Sequence, residues 1–199
     1  MERLLLPTIT TKRLVLRALI RQDAPDIYDY ANDPRVGPSA GWKPHESIDE
    51  TYRFIDYSIK KKEYGQPGIF AIVLQDTGRV IGTIEIHSYR QFKGEIGFVL
   101  HPKYWNQGYI TEAAQAVIIY AMEYLKLKRL AYCHFPENDV SKRVCEKLGF
   151  TFEGVLRDKF LLYDGTLKDD VTYSITQQDY ENGTISWIND VKKDVLIDY

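Results

Sequence analysis

The segment HPKYWNQGYITEAAQ, residues 101–115, places a glycine between the end of a strand-like run and an amphipathic helix. A strand that turns through Gly108 into a helix directs unpaired backbone N–H groups, and the positive end of the helix dipole, at one small volume. Such a volume binds anions, most often phosphate. The sequence contains neither G-x-x-x-x-G-K-[ST] nor G-x-G-x-x-G, so the anion would belong to a cofactor that uses another loop.

The cysteines and histidines give little indication of a metal site or of a nucleophilic catalytic site. Cys133 and Cys145 fit neither a disulfide framework nor paired zinc knuckles, so we predict buried thiols and no metal site. There is no G-x-S-x-G nucleophile elbow, and Cys145 with His134 would form a catalytic dyad only if the fold joined them.

Composition limits the class of protein. With 199 residues, 44% of them apolar and 13% aromatic, the chain is long enough for one domain, and we expect residues 1–199 to form it. A formal net charge of −2 excludes the basic surface that nucleic acid or an anionic membrane requires. Only three consecutive leucines precede Pro7, fewer than a signal peptide or a membrane span needs. We therefore expect a cytoplasmic protein without a nucleic-acid or membrane partner.

The first third of the sequence predicts one strand and two helices with a loop between them. Residues 13–17 (RLVLR) alternate as a half-buried strand, and Asp23 is placed to cap the helix that follows. The loop of residues 35–45 carries two glycines, two prolines and Trp42, which indicates a functional surface segment. Ser47 is placed to cap the second helix. The apolar positions that predict the two helices are Ala24, Ile27, Tyr28 and Ala31, and then Ile48, Tyr52, Ile55 and Ile59.

Three strand-like runs come next: FAIVL (70–74), VIGTIEI (80–86) and EIGFVL (95–100), whose short connections predict an antiparallel meander. Helical spacing continues from the Gly108 turn to about residue 126, and RLAYCHF (129–135) predicts another strand. Because a strand, a helix and a further strand form a right-handed crossover, the runs at 95 and 129 should lie parallel.

The last third predicts a helix, a hairpin and a tail. Asn138 opens a short helix that Gly149 ends, and the runs at 150–163 and 168–176 form a closing hairpin. The tail from about residue 179 has apolar residues at near-helical spacing. It packs either on this domain or on a second subunit, and in the second case the protein would be a homodimer. The helix positions predicted to face inward are Val140, Val144 and Leu148.

The two strand-to-helix units, GFVLHPKYWNQGYITEA and ENDVSKRVCEKLGF, resemble those of the GNAT superfamily of N-acetyltransferases, and more narrowly its Rim-type branch. The opening TTKRLVLRALIRQDAPDIYDYANDPRV, the segment GVLRDKFLLYDGTLKDDVTYS and the order of the elements support this resemblance. It covers roughly residues 8–178 and leaves 179–199 as a C-terminal extension. The implied fold is α+β, with a mixed, mostly antiparallel sheet flanked by helices and two splayed parallel central strands.

The resemblance implies acetyl-coenzyme A as acetyl donor. The family's pyrophosphate turn has the form Q/R-x-x-G-x-G/A, and the corresponding segment here runs from Trp105 to Ile110, with these two residues departing from the pattern. Phe98, Val99 and Leu100 match the strand that pairs with the pantetheine arm, and the N–H of Val99 matches the donor that polarises the thioester carbonyl. The residues implied at the turn are Asn106, Gln107, Gly108, Tyr109, Ile110 and Thr111.

Direct acetyl transfer to an amine requires a base and a proton for the departing thiolate. By resemblance Glu95 is the candidate base, while Glu85 and His87, which point to one face of the preceding strand, are alternatives. Many relatives use a tyrosine as acid where this chain has Cys145. Ser141 lies one helical turn earlier and is the implied group near the sulfur. Asn138 either bonds the pantetheine arm, caps its helix, or does both.

The acceptor is expected opposite the donor, between the loop with Trp42 and the hairpin with Asp169. Alternation puts Asp169 on the apolar side of its strand, where it could hold a cationic amine or pair with Arg157. The resemblance implies a primary amine in a ternary complex, either a protein N-terminus or a small molecule. Two alternatives are a catalytically silent acetyl-coenzyme A sensor, suggested by the missing tyrosine and by Ile110, and a structural domain with an empty groove.

Overall fold

One mixed β-sheet organises the chain. The computed structural model describes residues 6–61 and 64–199, so Leu4 and Leu5 of the N-terminal leucine run lie outside it. The strands are β1 (Thr8–Thr10), β2 (Leu14–Ala18), β3 (Ile69–Leu74), β4 (Val80–Arg90), β5 (Lys93–Leu100), β6 (Arg129–His134), β7 (Thr151–Leu161), β8 (Leu167–Thr176) and β9 (Leu196–Asp198).

The strand order is β7-β8-β6-β5-β4-β3-β2-β1-β9. β5 and β6 are parallel, and every other neighbouring pair of this sheet in the described ranges is antiparallel. The predicted α+β fold, the antiparallel meander and the parallel crossover are thus confirmed.

Six α-helices occur in the described part of the chain, and they lie on both faces of the sheet. They are α1 (Ala24–Ala31), α2 (Ile48–Lys61), α3 (Tyr109–Ile119), α4 (Asp139–Leu148), α5 (Gln177–Glu181) and α6 (Ile188–Val191). α3 continues through a π-helical turn, Tyr120–Tyr124, so the helix ends close to the predicted residue 126.

Each face of the sheet carries its own apolar layer, because successive side chains of a strand point to opposite faces. Residues of α3 and α4 pack on one face, and residues of α1 and α2 pack on the other; we call these the α3 face and the α1 face. Strand residues on the α3 face include Leu14, Leu16, Phe70, Ile72, Ile84, Ile96 and Leu130. Strand residues on the α1 face include Ile69, Ala71 and Val73.

The two parallel strands part in the middle of the sheet. β5 pairs with β6 from Lys93 opposite Arg129 to Ile96 opposite Tyr132. Beyond that point, in the described residues, β5 pairs with β4 alone and β6 with β8 alone, so a gap opens beside residues 97–100. This is the splay that the resemblance implies.

Three local predictions need correction. Val140 does not face the core: its side chain is 51% exposed, because the first turn of α4 stands over a groove instead of the sheet. Ile59 is also exposed, and Ser58 takes the buried position in that turn of α2. Asp23 does not cap α1; its buried carboxylate instead accepts two hydrogen bonds from Arg17, each of 2.8 Å.

The C-terminal tail packs on its own chain. The indole N–H of Trp187 donates to the Leu148 carbonyl at 3.0 Å, and Ile185 and Ile188 join the apolar layer of the α3 face. β9 pairs with β1 at the edge of the sheet. The tail therefore contacts its own domain, as the first of the two alternatives predicts, and a homodimer stays a prediction. Among the helices of residues 6–61 and 64–199, none has the length and apolar character that crossing a bilayer would take.

Candidate active site

A groove of about 1050 Å³ runs through the gap between β5 and β6 and opens to both faces of the sheet. Its walls come from β4, β5, β6, the first turns of α3 and α4, and the loop before α2. The sequence-predicted residues that line it are Trp42, Glu85, His87, Glu95, Phe98, Val99, Leu100, Asn106, Gly108, Tyr109, Ile110, Thr111, Asn138 and Ser141.

Two predicted residues do not line this groove. Gln107 turns outward, and its side-chain amide donates to the Lys103 carbonyl at 2.8 Å. Asp169 accepts a hydrogen bond of 2.9 Å from the backbone N–H of Asp158, within the hairpin. The carboxylate that does line the groove is that of Asp170. The sequence analysis chose Asp169 because it alternates with the apolar residues of β8. Both faces of β8 are covered, however, so the more polar face, which carries Asp170, is also buried.

The turn before α3 has the geometry of an anion site. Gly108 has a φ of +79°, a left-handed conformation that favours glycine, and its open side meets only the Arg13 guanidinium, 3.5 Å from where a Cβ would lie. Glu112 is the first residue whose N–H bonds back into the helix, to the Gly108 carbonyl at 3.1 Å. The N–H groups of residues 109–111 precede it and are free to bind an anion at the edge of the groove.

A polar network that sequence reasoning missed holds this turn. The Glu112 carboxylate accepts hydrogen bonds from the Thr11 hydroxyl at 2.7 Å, from the Arg13 backbone N–H at 2.9 Å and from the Arg13 Nε at 2.6 Å. Arg13 also donates to the Gln107 carbonyl at 3.0 Å and stacks 4.2 Å from the centre of the Tyr109 ring. Arg13 and Glu112 are 99 residues apart, so no local sequence pattern links them.

Trp105 and Ile110, the two residues that depart from the family's turn pattern, each contact the rest of the fold. The Trp105 indole N–H donates to the Leu100 carbonyl at 2.8 Å, which ties the turn to the end of β5. Ile110 is partly buried against the apolar layer of the α3 face. Its side chain therefore contributes to the core, and the turn keeps its backbone amides available. The residues present fit the pyrophosphate of acetyl-coenzyme A.

The amide of Val99 does not face the gap. The Val99 carbonyl oxygen points toward β4, because it lies within van der Waals distance of the place where a Cβ would sit on Gly82. The backbone N–H of His101, two residues further along, also points toward β4 and donates to the Ile81 carbonyl at 2.8 Å. Backbone groups alternate along a strand, so those of Phe98 and Leu100 turn to the gap. This orientation corrects the assignment of Val99: the gap-facing amides of β5 belong to Phe98 and Leu100.

The three candidate bases lie together on the α1 face, where their surroundings distinguish them. Glu85 forms an ion pair with Lys61, whose side chain is largely buried. Glu95 lies opposite His87 across β4 and β5, with 3.7 Å between its Oε1 and the His87 Nε2. Glu95 thus has no Lys or Arg ion-pair partner in the described residues, and it borders the gap.

A pair of hydroxyl groups lies on the other side of the gap. The buried Tyr132 hydroxyl is 2.6 Å from the Ser141 Oγ, and either oxygen can be the donor. Burial raises the pKa of Tyr132, so its hydroxyl stays protonated at neutral pH. Asn138 caps α4 by accepting from the Ser141 N–H at 3.0 Å. Tyr132 escaped sequence reasoning because it comes from β6, whereas the tyrosine sought there was on the α4 helix.

The remaining candidate nucleophiles are not activated. Burial raises the pKa of both thiols, Cys133 and Cys145, above the ordinary value of 9.0. His134 Nδ1 donates to the Phe135 carbonyl at 2.8 Å, and this nitrogen therefore does not serve a thiol. No group of three or more His, Cys, Asp or Glu side chains among the described residues is arranged as a metal site.

Aromatic rings wall the end of the groove where the acceptor is expected. Trp42 is half-buried and packs 5.4 Å from His45, whose pKa is lowered by burial. Phe160 of the hairpin packs against Phe135 at 5.3 Å and covers Gly41 so closely that a Cβ there would collide with its ring. The loop before α2 and the hairpin thus meet over the groove.

The sequence matches the family described as the acetyltransferase (GNAT) domain over residues 13–151. The N-acetyltransferase YoaA of Bacillus subtilis is 32% identical over 173 residues, which are 86% of this chain and 97% of that protein. An acetyltransferase of the GNAT family from Bacillus anthracis has a solved structure with a TM-score of 0.77 and 28% identity, covering 86% of this chain and 99% of that one.

Two more distant relatives from Escherichia coli act on different amines. Spermidine N(1)-acetyltransferase is 25% identical over 83% of this chain and 87% of its own length. The [ribosomal protein uS5]-alanine N-acetyltransferase is 26% identical over 88% of this chain and 93% of its own length. Since the family match covers well over half of the sequence, and YoaA aligns over most of both proteins, this chain belongs to the GNAT family and is an acetyl-CoA-dependent N-acetyltransferase.

Proposed function

We propose that this chain transfers the acetyl group directly to a primary amine, with donor and acceptor bound together in a ternary complex at the gap between β5 and β6. One observation carries the proposal. The gap has free helix amides of α3 at one end, a carboxylate on the α1 face and a hydroxyl pair on the α3 face. A thioester and an amine that enter from opposite faces would meet between groups able to take and give protons.

Acetyl-coenzyme A supplies the acetyl thioester. Its pyrophosphate would be held by the backbone amides of residues 109–111, with the Arg13 guanidinium adding positive charge behind the turn. The amides of Phe98 and Leu100, which face the gap, would bind the pantetheine arm as a neighbouring strand does. Of these two, the N–H of Phe98 is our candidate donor to the thioester carbonyl.

Glu95 is our candidate base, because Glu85 forms an ion pair with Lys61, whereas Glu95 has no Lys or Arg partner among the described residues and lies 3.7 Å from His87. Ser141 is the candidate acid for the departing sulfur, and Tyr132 would replace the proton that Ser141 gives up. The hydroxyl pair therefore supplies the role that the missing tyrosine plays in relatives, which removes one of the two reasons to regard the chain as a silent sensor.

Direct transfer is supported by the state of the thiols. A thiolate is the nucleophilic form of cysteine, and the pKa of Cys133, which lines the groove, is raised by burial. An acetylated cysteine intermediate is therefore disfavoured.

The acceptor remains a class rather than a compound. Relatives of similar identity act on spermidine and on an alanine of ribosomal protein uS5, so we consider both a polyamine and a protein N-terminus as candidates. The aromatic wall of Trp42, His45 and Phe160 would hold the apolar part of either.

The test has two stages. The first is calorimetric titration of the purified protein with acetyl-coenzyme A, with ATP as control ligand and Gly108→Glu as the blocked variant. Gly78→Glu is the matched control, because Gly78 has a similar positive φ and open space around it in a turn between β3 and β4. The second is release of free thiol with spermidine, and with a peptide that has a free or an acetylated N-terminal alanine.

We expect saturable binding to the wild type and to Gly78→Glu, loss of binding in Gly108→Glu, and thiol release that needs a free amine. Equal binding by Gly108→Glu would refute the phosphate turn. Binding without release for any amine would favour the sensor, and no binding at all would favour a structural domain.

A further inference from the structure

A second cavity lies on the α3 face, between α4 and the strands β7 and β8, and we call it the α4 pocket. Its volume of about 530 Å³ is within the range of small-molecule sites. His134 lines both this pocket and the groove, and the other residues of the pocket do not line the groove. The apolar lining of the pocket consists of Pro136, Phe150, Phe152, Val171 and Tyr173.

One wall of the α4 pocket carries a buried histidine with an unpartnered nitrogen. His134 is 6% exposed, and its Nδ1 lies 2.8 Å from the Phe135 carbonyl oxygen. Because a carbonyl only accepts hydrogen bonds, Nδ1 carries the proton, and Nε2 of the neutral ring has a lone pair that can accept one. Nε2 is buried and forms no hydrogen bond within the described residues. A buried polar atom without a partner is rare and costly, so a hydrogen-bond donor in the pocket would be favoured.

The imidazole of His134 leans toward the α4 pocket. Its ring stacks on the Tyr173 ring, with 5.5 Å between the centroids and 29° between the planes. Tyr173 belongs to β8, which pairs with β6 on the side away from β5. Since Tyr173 lines the pocket and not the groove, the stacked imidazole is turned away from the gap between β5 and β6.

The lining indicates the chemistry of a ligand. Phe152 is 57% exposed and meets the Tyr173 ring edge to face at 5.4 Å, so both rings can pack against a further aromatic ring. The charged side chains that line the pocket, Lys142 and Glu146, are exposed and form an ion pair at 4.0 Å. Their charges compensate each other, which favours a neutral ligand over an ion.

We propose that the α4 pocket binds a small, neutral aromatic molecule with an O–H or N–H group, of the phenol or indole class, and that this group donates a hydrogen bond to the Nε2 of His134. The ligand would be held beside the groove, on the opposite side of the His134 ring. This second site does not depend on the acetyl transfer proposed above.

The experiment is an NMR titration of the full chain with phenol and, separately, with toluene, which has a methyl group in place of the hydroxyl. Two signals are followed: the ¹⁵N resonance of the His134 Nε2, and the backbone amides of the pocket and of the groove. The variants are His134→Phe, which keeps a ring and removes the acceptor, and Phe152→Ala, which removes part of the wall. Phe92→Ala is the matched control, because Phe92 is equally exposed at 55% and lies outside the pocket.

We expect phenol to move the Nε2 resonance of the wild type upfield in a saturable way, because the lone pair accepts a hydrogen bond, whereas toluene should not. The amide shifts should centre on Phe150, Phe152 and Tyr173. In His134→Phe the ratio of the affinities for phenol and toluene should fall about tenfold. Phe152→Ala should weaken the binding of both probes, and Phe92→Ala should bind them as the wild type does.

The proposal would be overturned by an Nε2 resonance that does not respond to phenol, or by amide shifts that centre on Trp42 and Phe98 of the groove. An unchanged affinity in Phe152→Ala would have the same meaning. If dilution of the protein without phenol moves the pocket signals, the pocket is a contact between copies of the chain and not a small-molecule site. The measurements on the wild type and on Phe152→Ala decide the question even if His134→Phe does not fold.

Discussion

Replacement of Glu112 should measure how strongly the phosphate turn is anchored. The Glu112 carboxylate accepts three hydrogen bonds, two from Arg13 and one from the Thr11 hydroxyl, and its side chain is mostly buried. In Glu112→Gln the remaining oxygen can keep the Thr11 hydroxyl and the Arg13 N–H. The new amide N–H₂, however, would face the Arg13 Nε, so two donors would meet where a charge-assisted bond of 2.6 Å existed.

A hydrogen bond to a charged group contributes about 1.5–3 kcal/mol, and the partial exposure of Arg13 places this one at the lower end. We therefore expect Glu112→Gln to lower the free energy of unfolding by about 2 kcal/mol. Glu112→Ala loses all three bonds and should lower it by about 3 kcal/mol.

The assay is urea denaturation at pH 7, followed by tryptophan fluorescence, with the slope of the unfolding free energy checked for constancy. Glu146→Gln is the matched control, because the one ion pair of this carboxylate in the described part of the chain is an exposed pair with Lys142 at 4.0 Å on α4. That pair should contribute at most about 0.5 kcal/mol. If Glu112→Gln is no less stable than Glu146→Gln, the network does not hold the turn in solution, and the argument for Arg13 behind the phosphate site fails with it.

Two further predictions concern the indole hydrogen bonds of two tryptophans and one ion pair. Trp105→Phe and Trp187→Phe each remove one indole hydrogen bond, to the carbonyls of Leu100 and Leu148, so each should lower the free energy of unfolding by about 1 kcal/mol. Calorimetry should show weaker binding of acetyl-coenzyme A for Trp105→Phe alone. Equal affinities of the two variants would mean that Trp105 does not position the donor site. The hydrogen bond from Arg129 lowers the pKa of Glu153 below its ordinary value of 4.5, so this carboxylate stabilises the fold above pH 4.5 and the contribution is lost as the pH falls through the lowered value. Glu153→Gln should accordingly be less stable than wild type at pH 7, and the two melting temperatures should converge in acid; a constant difference would mean that the ion pair is not the cause.

Local patterns predicted the elements well, because their information lies within a few residues. Strand-like runs bounded by turn residues identified β3, β4 and β5, and the glycines at 108 and 149 marked a helix start and a helix end. The resemblance added the splay, which no local pattern encodes. The direction of individual side chains was harder to predict where an element lies over the groove and not over the apolar core. Val140 has the helical spacing of an inward residue, yet the space beneath it is the groove.

The parts of the site that sequence reasoning missed depend on long-range register. The hydrogen bond between Tyr132 and Ser141 joins β6 to α4, and the bond from Arg13 to Glu112 joins the residue before β2 to α3. The direction of the Val99 amide depends on how β5 aligns with β4. Asp169 and Asp170 are adjacent in a strand whose two faces are both covered, so hydrophobicity could not choose between them.

The splay also has a mechanical consequence. Four residue pairs, from Lys93–Arg129 to Ile96–Tyr132, are the whole of the backbone pairing between β5 and β6 in the described residues. On either side of that short seam the pairing is longer, between β4 and β5 on one side and between β6 and β8 on the other. A small rotation about the seam would change the width of the gap without breaking the backbone pairing of β4 with β5 or of β6 with β8. The short pairing between β5 and β6 therefore leaves the width of the gap less constrained than the rest of the sheet, at the place where the proposed donor and acceptor would meet.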